Sequence, residues 1–298
     1  MKLVVFGLGY SASHFLGARA GLFDATATVT TRAKADAMTR PGLDARVFTP
    51  EARDPAIELA IGRAEAALVS IGPDQTGDPT LNAFADALAR APNLRMIVYL
   101  STIGVYGDHA GAWIDESAEC RPTNARSQWR LAAESQWRAL ETATGTPVHI
   151  LRLAGIYGPG RNALVNLREG TARRIHKPGQ VFNRIHVADI GAAVDACLAY
   201  LGEGRVWNVA DNEPAPGEAV VAYAASLMGI EPPPLVDLET ANLSPMARSF
   251  YGESKRVKNS ALRARLGAAL TYPTYREGIA ALWEAGEGRQ RGSAAGIA

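Results

Sequence analysis

The sequence predicts an α/β fold: a doubly wound parallel sheet with a small C-terminal α/β part. Three observations support this prediction. The chain begins with a short apolar run, residues 2–6, that a glycine closes. Strand-like apolar runs then alternate with helical patterns, and further strand-like runs follow a long amphipathic pattern in the middle of the chain. This alternation is typical of parallel sheets covered by helices on both faces, because parallel strands need right-handed crossover connections.

The first half of the sheet is predicted from five apolar or β-branched runs, at residues 2–6, 27–31, 46–48, 65–72 and 94–101. A helical pattern follows the first run, and the helical run LNAFADALARA (81–91) separates the fourth from the fifth. Strands buried on both faces read as continuous apolar runs. We therefore expect a doubly wound core domain over residues 1–160.

The second half is predicted to add the last strands of the sheet and the small part. The expected elements are a helix over 125–143, a strand over 148–153, a helix over 161–171, a strand pair near 180–187, a helix over 188–201, a strand over 205–210 and a helix over 275–285. Residues 161–287 are therefore expected to mix the last sheet strands with the small C-terminal part. The tail over 288–298 is predicted to be disordered.

Composition excludes several classes of function. The chain has 298 residues, 31 basic and 30 acidic, with a formal net charge of +1. This balance gives no electrostatic case for binding nucleic acid or an anionic membrane. Two cysteines predict neither a disulfide framework nor a metal cluster. No signal-peptide pattern and no bilayer-length apolar run is present, so a cytoplasmic location is expected.

The turn GLGYSA, Gly7 to Ala12, fits the pattern G-x-G-x-x-A and stands between the first strand and the first helix. Gly7 permits a tight turn, Gly9 leaves room for a pyrophosphate, and Ala12 lets the helix pack close to the strand. Tyr10 and Ser11 then open the helix, whose N-terminus favours an anion. The sequence thus predicts a dinucleotide-binding Rossmann domain.

The end of the second strand indicates which dinucleotide is preferred. NAD-specific domains tend to place a carboxylate there for the ribose 2′-hydroxyl. This chain has Thr31 and Arg32 instead, with Asp24 before the strand and Asp36 further on. A guanidinium can pair with a 2′-phosphate through two hydrogen bonds. NADP is therefore favoured as the cofactor, and NAD remains the alternative.

Motifs along nearly the whole chain, about residues 2–285, resemble the short-chain dehydrogenase/reductase superfamily. Besides GLGYSA they are SIGPD (70–74), YLSTIGVYG (99–107), RLAAE (130–134), LRLAGIYGPG (151–160) and RIHVADI (184–190). The chain is most similar to the extended or atypical branch, the NAD-dependent epimerase/dehydratase family. The order of these motifs is more specific than any one of them.

The resemblance implies roles for particular residues. It places Ser70, Ile71 and Gly72 under the cofactor. It also places Leu153 and Ala154 at the nicotinamide. Three further residues are matched by position: Thr102 as a catalytic hydroxyl that hydrogen-bonds the reacting oxygen, Tyr106 in the wall of the substrate pocket, and His186 as a structural histidine.

The resemblance fails at the catalytic pair. The family carries Tyr-x-x-x-Lys on the helix after the VYG loop, and these two positions match Arg126 and Arg130. A guanidinium cannot be deprotonated in proteins, so Arg126 cannot act as a general acid–base. Arg130 could still hydrogen-bond the ribose hydroxyls as the family lysine does. Other groups considered for proton transfer lie in the polar loop before this helix. They are the side chains of Tyr106, His109, Asp115 and Glu116.

The spacing Tyr-x-x-x-Lys does occur, but far downstream, as Tyr251 and Lys255 in YGESK. On a helix, residues four apart share one face. The preferred interpretation is a solvated face, or a basic patch formed by Lys255 and Arg256 on the substrate side of the cleft. A catalytic Tyr251 would require the C-terminal part to fold over the cofactor.

Three functions remain open from the sequence. The first is an NADP-dependent oxidoreductase or epimerase acting on a nucleotide-sugar or small polar molecule, with the small part binding substrate. The second is a non-catalytic sensor or regulatory protein that binds NADP(H), which loss of the tyrosine favours. The third, a structural α/β protein, conflicts with GLGYSA. The resemblance also allows a homodimer. Trp129 and Trp137 could contribute to its contact or could equally be core residues.

Overall fold

The computed structural model describes residues 1–200 and 202–289. Its strands are β1 (Lys2–Phe6), β2 (Asp24–Val29), β3 (Leu43–Val47), β4 (Ala66–Val69), β5 (Met96–Thr102), β6 (Trp113–Ile114), β7 (Val148–Leu153), β8 (Gly155–Tyr157), β9 (Arg174–His176), β10 (Arg184–His186), β11 (Val206–Val209), β12 (Leu235–Asp237) and β13 (Arg256–Val257).

The helices are α1 (Tyr10–Ala18), α2 (Arg32–Met38), α3 (Ala56–Arg63), α4 (Pro79–Ala89), α5 (Ala125–Thr144), α6 (Ala163–Arg168), α7 (Val187–Ala199), α8 (Gly217–Met228), α9 (Pro245–Ser249), α10 (Ser260–Leu266) and α11 (Tyr275–Glu284). Short 3₁₀ turns cover Ile103–Tyr106 and Phe250–Gly252. Among the described residues, no helix is both long and apolar enough to span a bilayer.

Seven strands form the central sheet in the order β11-β7-β5-β4-β1-β2-β3, and every neighbouring pair is parallel. The order reverses between β1 and β4, so their carboxyl ends form the crevice where ligands bind in this class of sheet. This confirms the predicted doubly wound Rossmann fold. The late strand β11 closes one edge, so the sheet draws on residues beyond 160.

Alternation along β1 shows why helices cover both faces of the sheet. Leu3 and Val5 belong to one buried cluster, which α1 and α7 complete. Val4 and Phe6 belong to a second cluster on the opposite face, which α3, α4 and α5 complete. A strand whose successive side chains enter two cores must be apolar throughout, as KLVVF is after its first residue.

The second strand is displaced from its predicted position. The run 27–31 was expected to form it, but β2 begins at Asp24 and ends at Val29. Parallel pairing with β1 fixes the start, since Lys2 stands opposite Asp24. Thr31 lies beyond the strand and caps α2, because its hydroxyl accepts a hydrogen bond from the Lys34 N–H at 3.2 Å.

The C-terminal part is built from short pieces. Three parallel pairs, β8 with β10, β9 with β12 and β6 with β13, join segments far apart in the chain. A third buried cluster unites α6, α8 and α11, with Tyr275 fully buried. The predicted helix over 161–171 is shorter, since α6 covers Ala163–Arg168. Of the predicted tail, residues 290–298 lie outside the described residues.

Trp137 is a core residue. Its side chain is fully buried, and its indole N–H donates to the Asp78 carboxylate at 3.1 Å. Of the two interpretations left open for Trp137, a dimer contact or a core position, the structure shows the core position. Trp129 is partly exposed, so its part in such a contact stays a prediction.

Candidate functional site

The glycine-rich turn has the geometry of a phosphate cradle. Gly7 has φ of +91°, and a Cβ there would lie 2.7 Å from the Ile71 side chain. The Gly7 N–H donates to the Thr28 hydroxyl at 2.8 Å, which fixes the turn to β2. Gly9 begins α1 without a side-chain cap, and a Cβ built on it would meet no atom within 4 Å. An uncapped helix N-terminus beside open space suits a pyrophosphate.

Side chains around this turn are arranged as the pattern G-x-G-x-x-A requires. Ala12 is fully buried and Ser11 nearly so, which brings α1 close to the sheet. The Tyr10 hydroxyl donates to the Pro159 carbonyl at 3.0 Å and so ties the turn to the loop after β8. The Arg161 guanidinium lies 5.9 Å from the centre of the Tyr10 ring, which places a positive charge near the cradle.

Thr31 and Arg32 lie on the surface at the end of β2. The Arg32 side chain is 76% exposed, and its contact with Asp36 measures 3.4 Å on the helix surface. An exposed pair of this kind contributes little to stability, so the guanidinium is free to exchange its partner. Its position after β2 is the one from which an arginine can reach a ribose 2′-phosphate.

The loop after β4 meets the helix that carries the arginine pair. Ser70 and Ile71 are half-buried and Gly72 is exposed. A Cβ at Gly72 would lie 3.2 Å from Nη2 of Arg130, so this loop and α5 enclose one space. Ser70, Ile71 and Gly72 thus stand between the glycine turn and Arg130, and their contact with the cofactor stays a prediction.

A cleft of about 570 Å³ opens at the carboxyl ends of β5, β7 and β8. We use the name cleft for this cavity throughout. Both halves of the chain line it, since the C-terminal part folds over the sheet. The lining residues are Thr102, Ile103, Gly104, Asn124, Arg126, Ser127, Arg130, Leu153, Ala154, Gly155, Ile156, Tyr157, Arg161, Val181, Phe182, Asn183, Arg184, Met246, Ser249, Phe250, Glu253 and Lys255.

Thr102 ends β5 and faces the cleft. Its Oγ1 accepts a hydrogen bond from the Gly104 N–H at 3.1 Å, which leaves its own proton available to donate. The Ser127 hydroxyl lies nearby, 2.9 Å from the place a Cβ on Gly104 would occupy. Two hydroxyls therefore stand at the end of β5, and Ser127 was not expected from the sequence.

Arg126 and Arg130, which the resemblance matches to the family's Tyr and Lys, both line the cleft. Arg130 is fixed, because its Nη1 donates to the Tyr99 hydroxyl and to the Leu100 carbonyl, each at 3.0 Å. Arg126 is exposed in the first turn of α5, and its Nη1 approaches the Met246 sulfur at 3.3 Å. They stand one helical turn apart with no proton-transfer group between them.

Tyr106 does not line the cleft, and that prediction is wrong. The side chain is fully buried, and its hydroxyl donates to the Asn208 side chain at 2.7 Å. Burial raises the pKa of Tyr106 to about 12, although the charge of Arg152 opposes this. The 3₁₀ turn after Thr102 rotates Tyr106 inward, so it cannot deliver a proton to the cleft.

The other three groups considered for proton transfer also lie elsewhere. Among the described residues, His109, Asp115 and Glu116 are all absent from the lining of the cleft. The Glu116 carboxylate accepts from the Asn208 N–H at 2.9 Å. The Asp115 carboxylate accepts from the Ser117 N–H at 3.0 Å, which closes a turn. These contacts are structural.

The segment YGESK is not helical across its length. Tyr251 lies in a 3₁₀ turn and packs its ring against Phe182 at 5.2 Å, whereas Lys255 lies in extended chain before β13. Lys255 is 6% exposed, and its ammonium donates to the Gly107 carbonyl and to Glu253, each at 2.7 Å. Of the two interpretations, the solvated face is therefore wrong for Lys255. The alternative of a basic group on the cleft holds for Lys255 but not for Arg256, and Tyr251 does not line the cleft either.

His186 is structural, as expected. It is buried at the start of α7, where its Nδ1 accepts from the Ala188 N–H at 3.2 Å. Burial lowers the pKa of His186 to about 4, so the imidazole is neutral near pH 7. Its ring packs against Tyr157 and Tyr272.

A buried ion pair joins the elements that form the cleft. Arg152 of β7 donates to the Glu134 carboxylate at 2.7 Å, with side chains 7% and 5% exposed. The Ser101 hydroxyl donates to the same carboxylate at 2.5 Å, and the Arg152 guanidinium lies 4.7 Å from the centre of the Tyr106 ring. This network joins β5, β7 and α5, the three elements that position Thr102 and Arg130.

Several lining residues were not foreseen. Arg184 lies within a quoted motif and Arg161 directly follows another, but neither received a role. Glu253, Phe182 and Phe250 received none either. Their positions depend on how the C-terminal segment returns to the sheet through β13 and β6. No periodicity in the sequence signals that return.

Comparison with known proteins agrees with this architecture. The model of the NAD-dependent epimerase/dehydratase family matches residues 80–210. One similar solved structure is that of a functionally unknown conserved protein from Silicibacter pomeroyi DSS. Its sequence is 44% identical to this one, the match covers 96% of this chain and 99% of that chain, and the TM-score is 0.87. Protein YeeZ of Escherichia coli K12 is 25% identical over 78% of this chain and 85% of its own length.

A more distant neighbour shows the shared fold. The structure of dTDP-glucose 4,6-dehydratase from Bacillus anthracis in complex with NAD is 17% identical, covers 96% of this chain and 97% of its own, and has a TM-score of 0.76. The family match contains the Thr102 loop, the arginine pair and the β7 motif described above. Residues 80–210 of the chain therefore form a domain of the NAD-dependent epimerase/dehydratase family.

Proposed function

We propose that this protein binds NADP(H) and acts as an oxidoreductase or epimerase on a small polar molecule. One observation supports this most directly. Thr102, Arg126, Arg130, Leu153 and Ala154 all line one cleft, although they come from three separate segments. Such a cleft at the carboxyl ends of parallel strands is where dinucleotide-dependent chemistry takes place in this fold.

The residues present fit the cofactor. Gly7 and Gly9 with the start of α1 would hold the pyrophosphate, and Arg32 would hold the 2′-phosphate. Arg130 would bond ribose hydroxyls beside the loop of Ser70, Ile71 and Gly72. Leu153 and Ala154, both buried, would form the wall against the nicotinamide. NAD, the alternative cofactor, would use the same residues except Arg32.

The chain's own groups have limited roles in the chemistry. A bound nicotinamide dinucleotide supplies or accepts the hydride. Thr102 would donate a hydrogen bond from its hydroxyl to the reacting oxygen. Arg126 and Arg130 would stabilise negative charge that develops there, as fixed positive charges do in a site with little water. The proton itself would come from water, because neither guanidinium can release one.

Named structural neighbours indicate one class of substrate. The UDP-glucuronic acid 4-epimerase of Bacillus cereus, 16% identical to this chain with a TM-score of 0.75, was solved with UDP-glucuronic acid and NAD. A nucleotide-sugar is therefore one candidate for the small polar molecule, carried over by likeness of fold alone.

The second candidate is a sensor that binds NADP(H) without turnover. The observation that favours it is the chemistry of the cleft's titratable groups. Among the described lining residues, Glu253 is bound to Lys255, and Tyr157 packs its hydroxyl toward α11, where burial raises its pKa. Neither is placed to replace the family's tyrosine.

A test of turnover separates the two. Purified protein with NADPH and a panel of aldehydes and ketones should consume the cofactor with at least one of them. With that substrate, Thr102→Val should lower kcat by roughly a hundredfold, since one hydrogen bond to the developing charge is lost. NADPH affinity should change by less than about twofold.

The matched control is Thr142→Val on the exposed surface of α5, which should leave kcat unchanged. Tight binding of NADPH without consumption of it by any compound of the panel would contradict the enzyme and support the sensor. Calorimetry that detects no binding of NADPH or NADH would contradict both.

Cofactor preference has its own prediction. Arg32→Ala should weaken NADPH binding by about tenfold to a hundredfold, because a charge-assisted contact is worth about 1.5–3 kcal/mol. NADH binding should change by less than about twofold. Arg90→Ala is the matched control, since Arg90 is also 76% exposed and faces an aspartate four residues away in sequence. Equal losses for NADPH and NADH would show that Arg32 does not contact a 2′-phosphate.

A further inference from the structure

The cleft is strongly cationic within a chain that is almost neutral. Five of its described lining residues are basic, Arg126, Arg130, Arg161, Arg184 and Lys255, and one is acidic, Glu253. The whole sequence has a formal net charge of +1. A concentration of one sign in a concave site raises the local concentration of ligands of the opposite sign.

Most of this charge is not neutralised within the protein. Lys255 pairs with Glu253 at 2.7 Å. None of the four arginines lies within ion-pair distance of a carboxylate among residues 1–200 and 202–289. Their contacts are instead with carbonyls, a hydroxyl, a sulfur atom and aromatic rings. Such contacts leave the positive charge available to a ligand.

Arg184 is the most constrained of the four. Its Nη1 donates to the carbonyls of Phe182 and Ala215, at 2.9 and 3.0 Å, which holds the guanidinium in one place. The rings of Phe182 and Tyr275 flank it at about 6 Å. Burial lowers its pKa, and the charge of Asp211 acts against that. The other nitrogens of Arg184 donate to no described group. Arg184 therefore resembles an arginine that binds a ligand more than one held in a structural ion pair.

Two of the arginines already have a role in the proposed cofactor site. Arg130 is fixed beside Gly72, where the ribose would lie. Arg161 lies over Tyr10, beside the pyrophosphate cradle. Arg126 and Arg184 therefore remain for the substrate, and they approach the cleft from α5 and from β10.

Apolar side chains share this part of the cleft. Ile156 and Val181 line it, and Met246 and Phe250 from the C-terminal segment are 53% and 62% exposed at its mouth. Exposed large apolar residues beside a binding site commonly contact ligand. The whole volume of about 570 Å³ must also receive the nicotinamide end of the cofactor, so the remaining room suits a small molecule.

We propose that the substrate is a small molecule with one oxyanion group, a carboxylate or a phosphate, on an apolar body, and that Arg126 and Arg184 bind that group. This inference rests on the proposed function, because the cofactor is what limits the room. It differs from a nucleotide-sugar substrate in size and in its apolar body. Guanidinium groups bind both oxyanions through paired hydrogen bonds.

Binding of simple probes tests the proposal. Phenylacetate, phenyl phosphate and the neutral phenylacetamide would be titrated into protein saturated with NADP⁺, with calorimetry as the readout. We expect phenylacetate or phenyl phosphate to bind at least about tenfold more tightly than phenylacetamide, and the tighter of the two identifies the oxyanion. Arg184→Gln should remove that advantage and leave NADP⁺ affinity within about twofold.

Two further variants complete the test, one as a second probe of the oxyanion site and one as a control. Arg126→Gln alters an exposed residue and should also weaken the anionic probe if Arg184→Gln fails to fold. Arg174→Gln is the control, since Arg174 is half-buried and bonded to a backbone carbonyl outside the cleft. It should leave probe binding unchanged.

Three results would overturn the proposal: equal binding of phenylacetamide, no effect of either arginine variant, or tighter binding of UDP-glucose than of both anionic probes. Failure of the cofactor to bind is a separate outcome. It would refute the proposed function, and the same titrations on the free protein would then decide whether the two arginines bind an oxyanion.

Discussion

Gly9→Asp is expected to abolish binding of NADPH and NADH without harming the fold. The carboxylate would stand at the uncapped start of α1, where the pyrophosphate is proposed to lie. Two unit charges about 4 Å apart near a protein surface repel by about 4 kcal/mol, so affinity should fall by at least about a hundredfold. Calorimetry with each cofactor would measure this loss.

The fold should tolerate this change. Gly9 has φ of −86°, and a Cβ there meets no atom within 4 Å. Aspartate is also a favoured N-cap residue, so the melting temperature should stay the same or rise slightly. Gly17→Asp provides the control at the other end of α1, where a Cβ is equally unhindered. Undiminished affinity in Gly9→Asp would remove the phosphate cradle from the proposed site.

Arg152→Met is expected to cause the largest loss of stability. The change leaves the Glu134 carboxylate 5% exposed without its guanidinium partner. Breaking a buried ion pair by removing one partner costs about 3–5 kcal/mol in the free energy of unfolding. Urea denaturation would measure this loss, and activity or cofactor binding should weaken with it, because the pair joins β7 to α5.

A double variant separates pairing from packing. Glu134→Leu with Arg152→Met replaces both charges by apolar groups and should be more stable than Arg152→Met alone. Arg95→Met removes an exposed partner of Glu65 and should cost less than about 1 kcal/mol. If Arg152→Met were as mild as Arg95→Met, the buried network would not support the cleft.

Local patterns were sufficient to predict the sheet and the phosphate turn. KLVVF, AALV and MIVYL have apolar side chains on both sides, which only a sheet covered by helices can bury. The boundaries were less exact at β2, where pairing with β1 and the cap at Thr31 decide the ends. Those are contacts between segments, which a local pattern does not contain.

The lining of the cleft was predicted only in part. Thr102, Arg126 and Arg130 lie where the motifs placed them, because each follows a strand or begins a helix with a clear pattern. The position of Tyr106 was predicted wrongly, because the 3₁₀ turn rotates its ring into the core. For Lys255 the sequence left a solvated face and a cleft-side basic patch open, since its burial depends on β13 pairing with β6, about half the chain away.

The sequence by itself determined the doubly wound fold and the glycine turn after its first strand, because each depends on residues adjacent in the chain. Only the tertiary structure decided that Arg161, Arg184 and Lys255 share one cleft with Arg126 and Arg130. The pairing of β8 with β10 brings in Arg161 and Arg184, and the pairing of β13 with β6 brings in Lys255. Electrostatic attraction for a ligand depends on distances in space, and these follow from long-range packing rather than from spacing along the chain.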